Sequence, residues 1–174
     1  EREALWMQSQ QIKMLSMFCL QYPDLLKQIH KPPIALMVKG QISAFNETQF
    51  AFVGSRSPSP YGINVAKKFA QALAQTSALV TSGLAIGIDG VAHQACLDAG
   101  GHTVAVMGAG FRHIYPKRHR TLAERITLQG ALLSEFYPTT EPIHYNFPKR
   151  NRVISGLSNG VVVFEAAIKS GSLD

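Results

Sequence analysis

Five short apolar segments constrain the fold of this chain more than any other feature of its sequence. They cover residues 50–53, 78–81, 103–107, 131–133 and 161–164. Each is rich in β-forming residues and does not alternate between polar and apolar positions. This pattern is typical of strands buried on both faces of a parallel sheet, because neither face meets water. We therefore predict five strands of one largely parallel sheet.

Helical stretches fill the intervals between these strands. They are predicted over residues 61–75, 90–99, 119–129 and 148–158. The second of them follows Asp89, a good N-cap residue, and ends at Gly100-Gly101, which suits a C-cap. Strands that alternate with helices predict an α/β fold, in which an open, doubly wound, mostly parallel sheet carries helices on both faces.

The two ends of the chain extend this pattern. Residues 3–20 have the spacing of an amphipathic helix, and residues 34–38 have the composition of a further strand. We interpret residues 1–21 as the remnant of an N-terminal helical region and residues 22–174 as the main domain. Little sequence follows the strand at 161–164, so we expect the main domain to be truncated at its C-terminus.

The net charge of +6 is concentrated in one part of the chain. Residues 112–152 hold eight Lys and Arg against three acidic residues, a surplus of five. A basic surplus confined to one region is the usual mark of a polyanionic partner. The alternative at this point is a solvated basic face without a ligand.

Several protein classes are disfavoured by composition. Cys19 and Cys96 lie far apart, with no further ligand at zinc-binding spacing, which argues against a disulfide scaffold or a metal site. No apolar run has the roughly 18 residues of a membrane-spanning helix, and polar residues interrupt the N-terminal stretch too early for a signal peptide. We expect a cytoplasmic protein with no metal, no cofactor and no membrane partner.

The loops after the predicted strands contain the candidate binding residues. Ligands of open α/β sheets bind at the carboxyl ends of the strands. Gly54, Ser55 and Arg56 follow the first strand, and they offer close backbone approach, a hydroxyl group and a guanidinium for phosphate. The alternative is an ordinary turn in which Gly54 supplies a positive φ. Gly83 begins a second glycine-containing loop, in which Asp89 is expected to act as the N-cap.

The segment 145–152 is the most informative for function. Tyr145 and Phe147 are interleaved there with two asparagines and the cations Lys149, Arg150 and Arg152. Cations neutralise phosphates, and an aromatic face stacks on any unpaired base. This mixture favours single-stranded nucleic acid over duplex. Glu165, after the last strand, is expected either to contact a ribose or to orient Lys149 or Arg150.

Taken together, the loops resemble the DprA/Smf family of DNA-processing proteins, and the match runs in unbroken order over about residues 22–173. The motifs that carry the resemblance are Val53-Gly54-Ser55-Arg56, Ser82-Gly83-Leu84-Ala85, Gly87-Ile88-Asp89-Gly90-Val91-Ala92-His93, Tyr115-Pro116, Ser134-Glu135-Phe136, Asn146-Phe147-Pro148-Lys149-Arg150-Asn151-Arg152 and Glu165-Ala166 with Ser170-Gly171-Ser172.

The resemblance implies an extended Rossmann-like domain that binds single-stranded DNA and delivers it to the RecA recombinase, usually as a homodimer, and that is not an enzyme. The implied DNA-binding residues are Gly54, Ser55, Arg56, Gly83, Phe147, Lys149, Arg150, Asn151 and Arg152. The alternative class is a nucleotide-binding Rossmann enzyme or sensor resembling the phosphoribohydrolases. That class needs a proline-glycine-glycine turn near a catalytic glutamate, and the sequence contains no such turn.

Overall fold

The computed structural model describes residues 1–166, and this part of the chain forms one seven-stranded mixed sheet with helices on both faces. The strands are β1 (Lys13–Ser16), β2 (Ala35–Gly40), β3 (Gln49–Gly54), β4 (Leu79–Ser82), β5 (Thr103–Val106), β6 (Gly130–Ser134) and β7 (Gly160–Phe164). The helices are α1 (Arg2–Ser9), α2 (Asp24–Lys27), α3 (Pro60–Leu73), α4 (Ile88–Asp98), α5 (Arg120–Gln129) and α6 (Asn146–Leu157), with short 3₁₀ helices at Ile42–Asn46 and Lys117–His119.

The sheet has the strand order β1-β2-β6-β5-β4-β3-β7. Strands β3 to β7 are parallel to their neighbours within this group, while β1 and β2 pair antiparallel at one edge. From β3 the chain moves outward through β4 and β5 to β6, and it then returns to place β7 on the other side of β3. This reversal is the topological switch point of a doubly wound sheet, where ligands bind. The predicted extended Rossmann-like α/β fold is confirmed.

The apolar core lies on both faces of the sheet. Along β5, Val104 and Val106 pack on the face that carries α6, whereas Ala105 packs on the opposite face with α5. Helices α3 and α4 cover the same face as α5, nearer to β3 and β7. Burial on two faces explains why the parallel strands read as unbroken apolar segments.

The helix predicted over residues 3–20 is wrong beyond Ser9. Gln11 has a left-handed backbone (φ 56°), and Lys13–Ser16 is strand β1, paired antiparallel with β2. Ile12 and Leu15 are both buried, and their spacing of three residues also fits a helix. In the structure they enter different cores on opposite faces of the sheet, which requires an extended chain. The domain boundary at residues 21 and 22 stays a prediction.

No helix within residues 1–166 combines the length and the apolar content needed to cross a membrane.

Candidate nucleic-acid interface

The loop after β3 lies at the switch point and packs tightly against β7. A Cβ atom on Gly54 would lie 2.0 Å from the carbonyl oxygen of Phe164, so only glycine lets the two strands approach this closely. The Ser55 amide donates to the same carbonyl oxygen at 3.3 Å. Gly54 is therefore required by the close approach of β7, and not by a positive φ.

The same loop is tied to the start of α4. The Ser55 carbonyl oxygen accepts from the amide of Ile88 at 3.1 Å, and the Ser55 hydroxyl oxygen accepts from the amide of Ser57 at 3.0 Å. Gly87 has φ +84°, and a Cβ atom there would lie 2.2 Å from the Ser55 carbonyl oxygen. These contacts fix the backbone on both sides of Arg56, whose side chain is exposed.

Asp89 holds the loop between β4 and α4 and does not act as the N-cap. Its Oδ2 accepts from the amides of Gly83 at 3.1 Å and Ala85 at 3.3 Å, across the left-handed Leu84. The N-cap of α4 is Gly87, which has no capping side chain. The predicted capping role of Asp89 is therefore wrong, because its side chain turns back to the preceding loop. Burial raises the pKa of the Asp89 carboxyl group, against the opposing effect of nearby Arg150.

Arg150, on α6, reaches the centre of this edge of the sheet. Its side chain is only 3% exposed, and Nη1 donates to the carbonyl oxygens of Gly83, at 2.6 Å, and Val106. Burial lowers the pKa of Arg150 to about 10, while the neighbouring Asp89 opposes that shift. A Cβ atom on Gly83 would lie 2.7 Å from both the Arg150 guanidinium and the Asp89 carboxylate. Arg150 therefore links the ends of β4 and β5 through hydrogen bonds to their backbone carbonyl oxygens.

Phe147 forms the aromatic centre of the interface. Its ring lies 5.5 Å from the ring of Tyr115, centroid to centroid, at an interplanar angle of 44°. The guanidinium carbons of Arg56 and Arg150 lie 5.8 and 5.9 Å from the Phe147 centroid. A Cβ atom on Gly108 would lie 2.6 Å from this ring, so the glycine lets Phe147 rest on the backbone after β5.

Tyr115 was absent from the predicted site, although the structure places it beside Phe147 with 52% of its surface exposed. Its position two residues before the cations Lys117 and Arg118 was the signal available in the sequence. The pairing with Phe147 joins two segments more than 30 residues apart, and no local pattern shows that proximity.

The remaining predicted residues of α6 differ in their surroundings. Lys149 is exposed, and its ammonium nitrogen lies 5.5 Å from the ring of Phe136. Arg152 Nη2 donates to Glu135 Oε2 at 2.5 Å, and this ion pair is partly buried. Asn151 Oδ1 accepts from Arg150 Nε at 3.3 Å. Of the three predicted cations of this helix, Lys149 alone projects into solvent.

Glu165 does not orient a cation of α6. Its Oε2 accepts from the amide of Ser59 at 2.7 Å, at the start of α3. The expectation that it orients Lys149 or Arg150 is therefore wrong, because its carboxylate faces the adjacent helix. The Ser170-Gly171-Ser172 motif lies outside the described residues.

The structure thus brings the predicted loops to one edge of the sheet. Arg56 and Phe147 meet directly, and Gly83 meets Arg150. Lys149 and Arg152 lie beside the segment that follows β6. Among residues 1–166, no group of three or more His, Cys, Asp or Glu side chains is arranged to hold a metal ion.

Comparison with known proteins gives consistent results. The family model described as DNA recombination-mediator protein A matches residues 13–174. Protein Smf of Escherichia coli (strain K12) is 50% identical over 153 residues, which are 87% of this chain and 41% of that protein. This chain therefore spans less than half the length of that relative.

Two solved structures are similar over nearly the whole chain. DNA processing protein A (DprA) of Streptococcus pneumoniae superposes with a TM-score of 0.91 at 38% identity, covering 99% of this chain and 61% of that one. DNA processing protein A of Helicobacter pylori, described for its single-stranded DNA binding mode, gives 0.85 at 29% identity and covers 94% and 73%. The matching family model, the identity to these relatives and the shared fold establish that this chain belongs to the DprA/Smf family of DNA recombination-mediator proteins.

Proposed function

We propose that this chain binds single-stranded DNA at the carboxyl edge of its sheet. The observation that carries the proposal is the arrangement around Phe147, where an exposed Tyr115 ring and an exposed Arg56 side chain lie beside one aromatic face. A base stacks on such a face whatever its identity, and a guanidinium neutralises the adjoining phosphate. Stacking requires an unpaired base, so single strands are favoured over duplex.

The predicted site residues take three different roles in this proposal. Arg56 and Lys149 contact phosphates, because both side chains are exposed and neither forms an ion pair within the described residues. Phe147 stacks on a base together with Tyr115. The other members shape the backbone or position these groups; they are Gly54, Ser55, Gly83, Arg150, Asn151 and Arg152. The Helicobacter pylori relative described above for its single-stranded DNA binding mode supports single-stranded DNA as the ligand.

Binding of fluorescent oligonucleotides at several salt concentrations tests the proposal. We expect single strands to bind more tightly than duplex of equal length, with affinity falling steeply as salt increases. Arg56→Ala and Lys149→Ala should each weaken binding and reduce the salt slope by roughly 0.7 to 1, the value for one phosphate contact. The matched control is Lys67→Ala, an exposed lysine on the outer part of α3. Equal affinity for duplex, or unchanged binding in both site variants, would refute the proposal.

A finer proposal is that the bound strand is delivered to the RecA recombinase by a homodimer. Its support is membership in a family of recombination mediators, together with the resemblance of the loop motifs. Assembly of RecA filaments on single-stranded DNA should accelerate when the protein is added, and light scattering should give the mass of two chains. No acceleration would leave DNA binding intact and would remove the RecA step.

We also propose that the protein acts by binding and not as an enzyme. Two buried ionisable groups of the interface are engaged with backbone atoms: Asp89 accepts from amides, and Arg150 donates to carbonyl oxygens. Neither side chain is then available as an acid or base toward a ligand. Incubation with nucleoside monophosphates should release no free base, and release of a base would favour the phosphoribohydrolase-like alternative.

A further inference from the structure

A cavity of about 320 Å³ lies between α1, β2 and α5, outside the interface described above. Its lining includes Trp6, Lys39, Arg112, Arg120 and Glu124. This volume is near the lower limit for pockets that hold small ligands or parts of larger ones. Three cations and one carboxylate among these five residues favour an anion.

Arg112 gives this cavity a fixed wall. Its guanidinium carbon lies 4.1 Å from the centre of the Trp6 ring, a cation–π contact. The same guanidinium donates to both carboxylate oxygens of Glu3, at 3.1 and 3.3 Å. These contacts attach α1 to the loop after β5. They also cover one face of Trp6 and balance the charge of Arg112.

Lys39 and Arg120 supply the charge that remains for a ligand. Neither side chain forms an ion pair or a hydrogen bond within residues 1–166, and Lys39 is partly buried. Glu124 offsets one of the two charges. Cations brought together in a concave site without enough counter-charge attract a polyanion and raise its local concentration.

The cations continue from this cavity toward the aromatic pair. Arg120 is the first residue of α5 and directly follows the 3₁₀ helix Lys117–His119. Lys117 and Arg118 are exposed, and neither forms an ion pair among the described residues. Tyr115 lies two residues before Lys117. The loop after β5 thus carries Tyr115 at the DNA interface and Arg112 at the cavity.

We propose that a single strand of DNA held at Tyr115 and Phe147 continues across Lys117 and Arg118 and places further phosphates in the cavity, against Lys39 and Arg120. This inference rests on the proposed function and extends its binding path. The available groups recognise phosphate and not bases, so the extension is independent of sequence. The segment that joins the two places carries a run of cations, and this favours a continuous strand over an isolated small anion.

The test compares oligothymidylates of increasing length on the wild type and on the Lys39→Gln/Arg120→Gln variant. For the shortest oligonucleotide that the wild type binds, the affinity of the variant should equal that of the wild type. Longer oligonucleotides should bind the wild type more tightly, and the variant should lose this gain. With these longer oligonucleotides, the slope of log affinity against log salt concentration should be smaller for the variant by about 1.4, the value for two single-strand phosphates. Lys67→Gln/Lys68→Gln is the control, because it removes the same charge from exposed positions of α3.

The outcomes separate this inference from the proposed function. Equal affinities of variant and wild type at every length overturn the extension and leave the interface intact. An equal loss at every length, shared by the control, also overturns it, because the effect is then one of net charge. Saturable binding of inorganic phosphate that depends on Lys39 and Arg120, without the length effect, assigns the cavity to a small anion instead. If the wild type binds no oligonucleotide, the proposed function and its extension both fail.

Discussion

Arg150 Nη1 donates to the carbonyl oxygen of Gly83 at 2.6 Å and also to that of Val106. These bonds connect α6 to the ends of two neighbouring strands, β4 and β5. Lys149 directly precedes Arg150 in the sequence, and its side chain is exposed. Adjacent cations of one motif therefore have different physical roles. Arg150 fixes the loops, whereas Lys149 is available to a ligand.

Substitution of these two residues should separate stability from binding. Arg150→Ala leaves two buried carbonyl oxygens and the buried Asp89 without their cation, so we expect the free energy of unfolding to fall by about 3 kcal/mol or more. Lys149→Ala should change that free energy by no more than about 0.5 kcal/mol and should weaken binding of single-stranded DNA. Urea denaturation measures the first quantity and oligonucleotide titration the second.

Arg150→Lys provides the control for charge. Lysine keeps the positive charge but lacks the planar, forked donors, so it should recover only part of the lost stability. If Arg150→Ala unfolded at the same urea concentration as the wild type while losing affinity for DNA, Arg150 would be a direct contact and its positioning role would be wrong.

The Arg152–Glu135 pair should behave as a partly buried structural ion pair. Glu135 is nearly buried, and its second oxygen, Oε1, has no hydrogen-bond partner among the described residues. Arg152→Met should therefore lower the free energy of unfolding by about 3 kcal/mol, because it leaves a buried carboxylate unpaired. Adding Glu135→Gln should restore part of that loss by removing the charge. The measurement is a double-mutant cycle by urea denaturation, and additive effects would contradict the pairing.

The parallel strands were predictable because their signal is local. Each is a short apolar segment bounded by turn residues, and burial on both faces by the helices makes that segment continuous. The N-terminal strand was not predictable in the same way. Ile12 and Leu15 pack on opposite faces of the sheet, but a spacing of three residues also fits one face of a helix.

The location of the interface could be predicted from the sequence, but the contacts between its residues could not. Chain order puts the loops after parallel strands at one edge, so Arg56, Gly83 and Phe147 were expected together. Which cations stay free depends on contacts between distant segments. Arg152 meets Glu135 across 17 positions and Arg150 meets Gly83 across 67, and charge pattern alone does not reveal such pairs.

His93 should make stability depend on pH. Its Nδ1 lies 2.7 Å from Thr103 Oγ1, which itself donates to the Val80 carbonyl oxygen, so Nδ1 must be the donor. His93 Nε2 is buried without a partner among the described residues. Burial, followed by the effects of His119 and Arg150, lowers the pKa of His93 from 6.5 to about 3.

The sign of the effect follows from proton binding. Between pH 6.5 and about 3 the unfolded chain binds a proton at His93 that the folded chain does not bind. The free energy of unfolding should therefore fall as pH decreases below 6.5, by about 1.4 kcal/mol per pH unit from this residue. Glutamine does not titrate in this range. The difference in free energy of unfolding between the wild type and His93→Gln should therefore change by about 2 kcal/mol between pH 7 and pH 5. A difference that is independent of pH would show that His93 binds its proton equally well in the folded and unfolded chains, and its lowered pKa would be wrong.

Gly108→Ala should weaken DNA binding without removing any group that contacts DNA. The added Cβ atom would lie 2.6 Å from Cδ1 and 2.9 Å from Cε1 of Phe147, which is closer than real Cβ atoms approach a ring. The ring must move, and its placement beside Tyr115 changes. The expected loss in binding free energy is about 1–3 kcal/mol, the contribution of one stacked base. Oligonucleotide titration measures it.

Two further variants distinguish a displaced ring from a general loss of structure. Gly160→Ala is the matched control. Its Cβ atom would lie 3.3 Å from the Phe50 ring, a less severe contact, and Gly160 is at the start of β7, at the opposite end of the strand from the interface. It should bind DNA as the wild type does. Phe147→Leu keeps apolar bulk and removes the aromatic face, so it should reproduce the loss seen in Gly108→Ala. If both Gly108→Ala and Phe147→Leu bound single strands with wild-type affinity, base stacking at Phe147 would be excluded, and binding would have to rest on the phosphate contacts of Arg56 and Lys149.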